Sequence, residues 1–72
     1  MERKSLLDAA IVRIMKARKT MTHSALISET VDIMKKHFQP DVSMIKARFE
    51  SLIEAEYMRR DDDKPEVYVY VA

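Results

Sequence analysis

The hydrophobic period changes once along this chain, and that change restricts the available folds more than any other feature. Up to about residue 56 the apolar residues recur at three- and four-residue intervals. In the last sixteen residues they alternate, as in Val67-Tyr68-Val69-Tyr70-Val71. A 3.6-residue period buries one stripe of a helix, and a two-residue period buries one face of a strand. The chain is therefore expected to be mostly α with a small β-hairpin at its end.

Leu7, Ile11, Ile14 and Arg18 recur at helical spacing with Ala10 beside them, which predicts an amphipathic helix from about Lys4 to Lys16. The threonines of Lys19-Thr20-Met21-Thr22-His23 suit a short extended stretch. Ser24 is the expected N-cap of a second helix, with Ile27, Val31, Met34 and Phe38 on its buried face. Pro40 disfavours helical geometry at Gln39 and should end it. Asp41 or Ser43 can cap a third helix with Ile45, Phe49, Leu52 and Ile53 as its buried stripe; Lys46, Glu50 and Glu54 fall on the other side. Tyr57-Met58-Arg59-Arg60 and Val67 to Val71 read as strands, joined by a turn over Asp61-Asp62-Asp63-Lys64-Pro65. Without glycine, an Asp in this turn is the residue expected to adopt a left-handed conformation. Helix, extended stretch, helix, helix and hairpin is the order of a winged helix-turn-helix, three helices plus a wing. Which face of the last strand is buried, Tyr68 and Tyr70 or Val67, Val69 and Val71, stays open. The other face could dock on a partner, or the tyrosine rings could cover the edge of the core with their hydroxyls in water.

At 72 residues this is one small domain, and a chain of that size buries only about 60% of the surface its unfolded form exposes. Small domains are often reinforced by disulfides or metals. Here there is no Cys, and His23 and His37 stand far apart in sequence, which argues against a disulfide or zinc site. A packed helical core remains, consistent with 47% hydrophobic residues and six Met suited to filling gaps. No membrane span or signal peptide is apparent, so a soluble, intracellular protein is expected. No nucleophile, His and carboxylate share a spacing that would unite them, and there is no glycine-rich phosphate loop, so enzymatic activity is not expected. No cofactor is expected either.

The net charge of +1 hides an asymmetry: Met1 to Lys19 carries an excess of +4, whereas Asp41 to Glu56 sums to −2. Positive potential on the first helix should steer acidic partners there. Nucleic-acid binding is the alternative that winged helices raise, but it needs cations on the third helix, which is acidic here, and the turn of the wing begins with three aspartates. Arg59 and Arg60 are expected to pair with those aspartates.

Steps of 100° around the first helix set Lys16 almost opposite Leu7, Ala10, Ile11 and Ile14. Ala9 and Val12 share the outward face and Arg13 flanks it. An outward lysine without a carboxylate neighbour is open to approach, and its amine can form an amide with an activated carboxyl group. Most exposed lysines only keep a surface wet.

The run Ala9-Ala10-Ile11-Val12-Arg13-Ile14-Met15-Lys16-Ala17-Arg18-Lys19 resembles the neddylation motif of the cullins, scaffolds of RING-type ubiquitin ligases. Met44-Ile45-Lys46, Glu50-Ser51-Leu52-Ile53-Glu54 and Tyr57 resemble the third helix of the family's terminal winged-helix domain. Tyr68-Val69-Tyr70-Val71-Ala72 resembles its chain end. Ala17 stands where the family often has Met, and Phe49 where it often has an aliphatic residue. The resemblance covers essentially the whole chain and implies a fragment, residues 1–72, of a much longer scaffold, with Met1 an added start. It implies that Lys16 accepts a ubiquitin-like modifier from a conjugating enzyme, helped by a RING-box subunit, and that Ala9, Val12, Arg13, Ala17, Arg18 and Lys19 flank it as recognition residues. Conjugation favours ubiquitin transfer to substrates. The resemblance further implies that the signalosome reverses the linkage, that an exchange factor binds the unmodified scaffold, and that the setting is the cytoplasm and nucleus. In this scheme Lys16 is a substrate and the domain is not catalytic.

Overall fold

The computed structural model describes residues 2–71, so Met1 and the chain-end resemblance at Ala72 lie outside the described residues. Three helices, α1 (Arg3–Arg18), α2 (His23–Met34) and α3 (Val42–Glu54), pack with three short strands, β1 (Thr20–Thr22), β2 (Met58–Arg60) and β3 (Val67–Tyr70). The winged helix-turn-helix expected from the sequence is the fold observed. The extended stretch after α1 joins the hairpin, giving an antiparallel sheet of order β1-β3-β2. Thr20 lies opposite Val69 on one side of β3 and Met58 opposite Tyr70 on the other.

The core forms where the helices meet the inner face of that sheet. Leu7, Ile11, Ile14 and Met15 of α1 pack with Leu26 and Met34 of α2, Ile45, Phe49 and Leu52 of α3, and Met58 and Tyr68 of the wing. The tyrosine face of β3 is therefore the buried one: Tyr68 is 2% exposed and Tyr70 packs against the core. The Tyr68 hydroxyl does not reach water freely, because it meets His23 Nδ1 at 2.8 Å. Phe49 stands edge-on to both rings, its centroid 5.2 Å from that of Tyr68 and 5.6 Å from that of His23. Offset and edge-to-face pairs of this kind add about 0.5–1.5 kcal/mol beyond burial. Phe49, larger than an aliphatic residue at this position, is accommodated by this aromatic cluster.

Several local expectations are corrected. The cap of α2 is Thr22, whose side chain accepts from the Ala25 amide at 3.2 Å, and Ser24 lies inside the helix. Thr22 ends β1 and starts α2, leaving no separate linker. The buried residues of α2 are Leu26, Thr30 and Met34, whereas Ile27 and Val31 are half-buried. Thr30 can be buried because its hydroxyl donates to the Leu26 carbonyl at 2.7 Å, satisfying the polar atom within the helix. The helix also ends at Met34, well before Pro40, in a turn whose His37 and Phe38 amides both bond the Met34 carbonyl. That turn brings Phe38 back under the Arg3 guanidinium, 5.0 Å above its ring. Asp41 caps α3, as one of the two expected candidates.

No aspartate of the wing turn adopts positive φ. Asp61 instead accepts from the amides of Asp63 and Lys64 through its own side chain, an Asx turn that needs no left-handed residue. Positive φ falls at Lys19 (73°) and Glu56 (68°), where the chain leaves α1 and α3. The Tyr57 amide bonds the Leu52 carbonyl at 3.0 Å beyond Glu56, the pattern of a helix end that normally takes glycine. Glu56 carries a Cβ penalty there, so Glu56→Gly should raise unfolding free energy by about 0.5–1 kcal/mol after the entropic cost of glycine. Urea denaturation of the two chains measures this.

Candidate functional site

The C-terminal half of α1 is held from both ends. Lys19 closes the helix with its amide on the Met15 carbonyl, and its own carbonyl accepts the Tyr70 amide; both distances are 2.7 Å. One helix end is thus bonded to itself and to the central strand. Nearer the other end, Arg48 of α3 grips Asp8 through two hydrogen bonds of 2.8 Å. Bidentate pairs fix orientation as well as distance. The bond to Asp8 is the main cause holding the Arg48 guanidinium protonated above its ordinary value, against the opposing effect of burial.

With α1 held this way, Leu7, Ala10, Ile11, Ile14 and Met15 face inward and Lys16 is exposed in the last turn. Among the described residues no carboxylate is ion-paired with Lys16 or with Arg13. Arg18 differs, because its guanidinium reaches Glu29 of α2 at 3.0 Å. Ala17 and Lys19 are exposed, and the Lys19 ammonium lies 5.2 Å from the centroid of the Tyr70 ring.

The outward ridge of α1 separates two grooves that meet at exposed Ala9. On one side Asp8, Ala9 and Val12 face Leu52 and Tyr57, at the exit of α3. Val12 is half-buried in this groove and does not stand clear in solvent as the helical wheel implies. On the other side Leu6, Ala9, Ala10 and Arg13 face Ile33, Met34 and His37 of α2 and its following turn. Ile33 is 40% and Tyr57 45% exposed, so both grooves carry apolar surface on their rims. Neither Tyr57 nor Ile33 was expected beside Ala9, Val12 and Arg13. Each comes from a separate element, and only the packing of α1 between α2 and α3 brings them there. Tyr57, an aromatic residue at the change of period, was the one signal available in the sequence.

Recognition of nucleic acid by α3 would need free cations there, and of its two, Lys46 and Arg48, the arginine is engaged. Arg48 binds Asp8, and Arg60, next to α3 in the wing, binds Glu50 at 2.5 Å and lies 5.6 Å from the Tyr68 ring centroid. The expected pairing of Arg59 and Arg60 with the wing aspartates does not occur. Asp61 turns its carboxylate to the backbone, Arg60 reaches across to Glu50, and Arg59 donates to the Arg60 carbonyl. Among the described residues, no His, Asp and Glu side chains converge as metal ligands.

The Arg60 hydrogen bond is the first cause holding Glu50 below its ordinary 4.5, and burial opposes it. A depressed carboxylate contributes stability above the unfolded value and loses it as pH falls through the folded one. The pair is exposed and screened, so its contribution is about 0.2–1 kcal/mol. Glu50→Gln should therefore be less stable than the parent at pH 6. The difference should shrink as pH falls from the unfolded value of Glu50 through its folded one, in urea titrations at each pH.

Comparison with known proteins bears on this surface. Residues 2–64 match the family model described as the cullin protein neddylation domain. Cullin-2 of Arabidopsis thaliana is 48% identical over 71 residues, covering 99% of this chain and 10% of that protein. Cullin-3 of Dictyostelium discoideum is 46% identical over 71 residues, covering 99% of this chain and 9% of that protein. The chain thus spans about a tenth of the curated relatives it matches. Among solved structures, one described as "A Dual E3 Mechanism for Rub1 Ligation to Cdc53: Dcn1(P)-Cdc53(WHB)" superposes with a TM-score of 0.93 at 41% identity, covering 97% of this chain and 80% of that one.

Proposed function

The chain belongs to the cullin family, whose neddylation domain it matches, and on that premise we propose that Lys16 is the acceptor of a ubiquitin-like modifier. The observation carrying the proposal is the exposure of Lys16, unpaired among the described residues, on the face of α1 opposite its buried stripe and within the run resembling the family's motif. The chemistry is acyl transfer. The Lys16 nitrogen attacks the thioester carbonyl joining the modifier's C-terminus to a cysteine of the conjugating enzyme. The C–N bond forms as the C–S bond breaks, the thiolate leaves, and the nitrogen releases its proton to solvent. The conjugating enzyme and a RING-box subunit supply the catalytic groups, so this domain acts as substrate and is itself non-catalytic.

The neighbours have distinct roles in this reading. Ala9 and Val12 give an approaching protein an apolar contact without a bulky obstacle beside the amine, and Ala17 leaves the far side of Lys16 low. Arg13 draws acidic surfaces toward the ridge. Arg18 and Lys19 add positive potential, although Glu29 offsets Arg18. The similar structure is described as one of Dcn1 with Cdc53 and of Rub1 ligation, and a protein of the Dcn1 type is a fitting partner for this domain.

The wider role follows the family. The domain is part of a longer cullin scaffold of a RING-type ubiquitin ligase in the cytoplasm and nucleus. Conjugation at Lys16 activates ubiquitin transfer to substrates, the signalosome removes the modifier, and an exchange factor engages the unmodified scaffold.

Lys16→Arg keeps the charge and removes the nucleophile. In reconstituted conjugation of the full scaffold it should reduce the modified band to a small residual on other lysines, and a band of undiminished intensity would refute the assignment. Arg13→Glu leaves the nucleophile intact and should slow conjugation several-fold at low salt, with the deficit shrinking as ionic strength rises. Initial rates at two salt concentrations test the steering role.

A further inference from the structure

Lys16 and Lys19 are one helical turn apart and both exposed, so two amines compete for the same activated carboxyl group. Spacing alone does not separate them, since residues three apart are neighbours on a helix surface. Two observations at Lys19 do. Its φ of 73° ends the helix at this residue, so Lys19 lies beyond the helical turn that carries Lys16. Its ammonium sits over the Tyr70 ring, 5.2 Å from the centroid, and the contact is anchored by the bond between the Tyr70 amide and the Lys19 carbonyl. Among the described residues, the Lys16 amine is in no ion pair or cation–π contact.

We propose that Tyr70 biases modification toward Lys16, by holding the Lys19 amine against its ring and lowering its availability as a competing nucleophile. This rests on the reading of Lys16 as acceptor. To attack the modifier's thioester, the Lys19 nitrogen must first leave the ring. The bond change would be the same as at Lys16, C–N formed and C–S broken, with the thiolate as leaving group and the proton lost to solvent. Tyr70 touches neither the thioester nor the reacting nitrogen of Lys16, so it is a positioning residue. The backbone clamp involves no Tyr70 side-chain atom, which allows substitution to remove the ring and keep the clamp.

The test uses the full scaffold as parent, Tyr70→Phe and Tyr70→Leu, each treated briefly with a small N-hydroxysuccinimide acetate and read by peptide mass spectrometry. The ratio of acetylation at Lys19 to that at Lys16 should be equal in the parent and Tyr70→Phe, which keeps the ring. It should rise about two- to fivefold in Tyr70→Leu, the population change of an exposed cation–π contact. In a Lys16→Arg background, enzymatic conjugation at Lys19 should rise by a similar factor with Tyr70→Leu only. An unchanged acetylation ratio in Tyr70→Leu overturns the proposal even where Lys16 proves to be the acceptor. A rise in that ratio without any enzymatic modification of Lys16 in the parent leaves the shielding of Lys19 intact and refutes the acceptor assignment instead. If Tyr70→Leu fails to fold, NMR of the parent decides: the Lys19 Cε protons should be shifted upfield of those of Lys16 by the ring current, and coincident shifts overturn the proposal.

Discussion

Burial of Leu7, Ile11, Ile14 and Met15 fixes the rotation of α1 about its axis, and each outward property of the helix follows from that rotation. A buried Leu or Ile side chain is worth about 1.5–3 kcal/mol. A domain of this length has a net stability on the order of 4–11 kcal/mol. Turning α1 enough to bury Lys16 would expose several of those side chains, a cost comparable to the whole margin. Asp8–Arg48 and the bonds of Lys19 to Met15 and Tyr70 add direction to what burial supplies in strength. Together they leave a ridge of Ala9, Arg13 and Lys16 facing solvent.

The same constraint explains which parts of the molecule were legible in the sequence. The inward stripe of α1 could be read because no polar residue interrupts it, and the exposure of Lys16 came with it. The stripe of α2 was misread because a threonine occupies its centre: Thr30 is buried by virtue of a hydrogen bond to Leu26, which hydropathy does not register. The wing strands were legible from their alternation, yet the choice of buried face was not, since Val and Tyr are both fit for burial. The aromatic cluster of His23, Phe49 and Tyr68 made that choice, and its members come from three separate elements. Asp8 and Arg48 are 40 positions apart, so their pairing was likewise invisible, and with it the loss of a cation from α3. Positive φ at Glu56 was missed because helix termination, not composition, demands it.

Charge is divided accordingly. One cation of α3 and one of the wing join elements, through Arg48 with Asp8 and Arg60 with Glu50. The cations of α1 are all exposed, and among the described residues only Arg18 of them ion-pairs with another element. A winged helix arranged this way presents its first helix, and the third serves as an internal brace. The fold is shared with proteins that read nucleic acid, but fold alone does not assign a role. The exposed amine and membership of the cullin family both point to protein conjugation as the role.

The most direct measurement is the position of the branch in the naturally modified scaffold, isolated from cells and digested for tandem mass spectrometry. The account predicts the modifier's C-terminal remnant on the side-chain nitrogen at position 16. A remnant found at another lysine, with position 16 recovered as free amine, would contradict it.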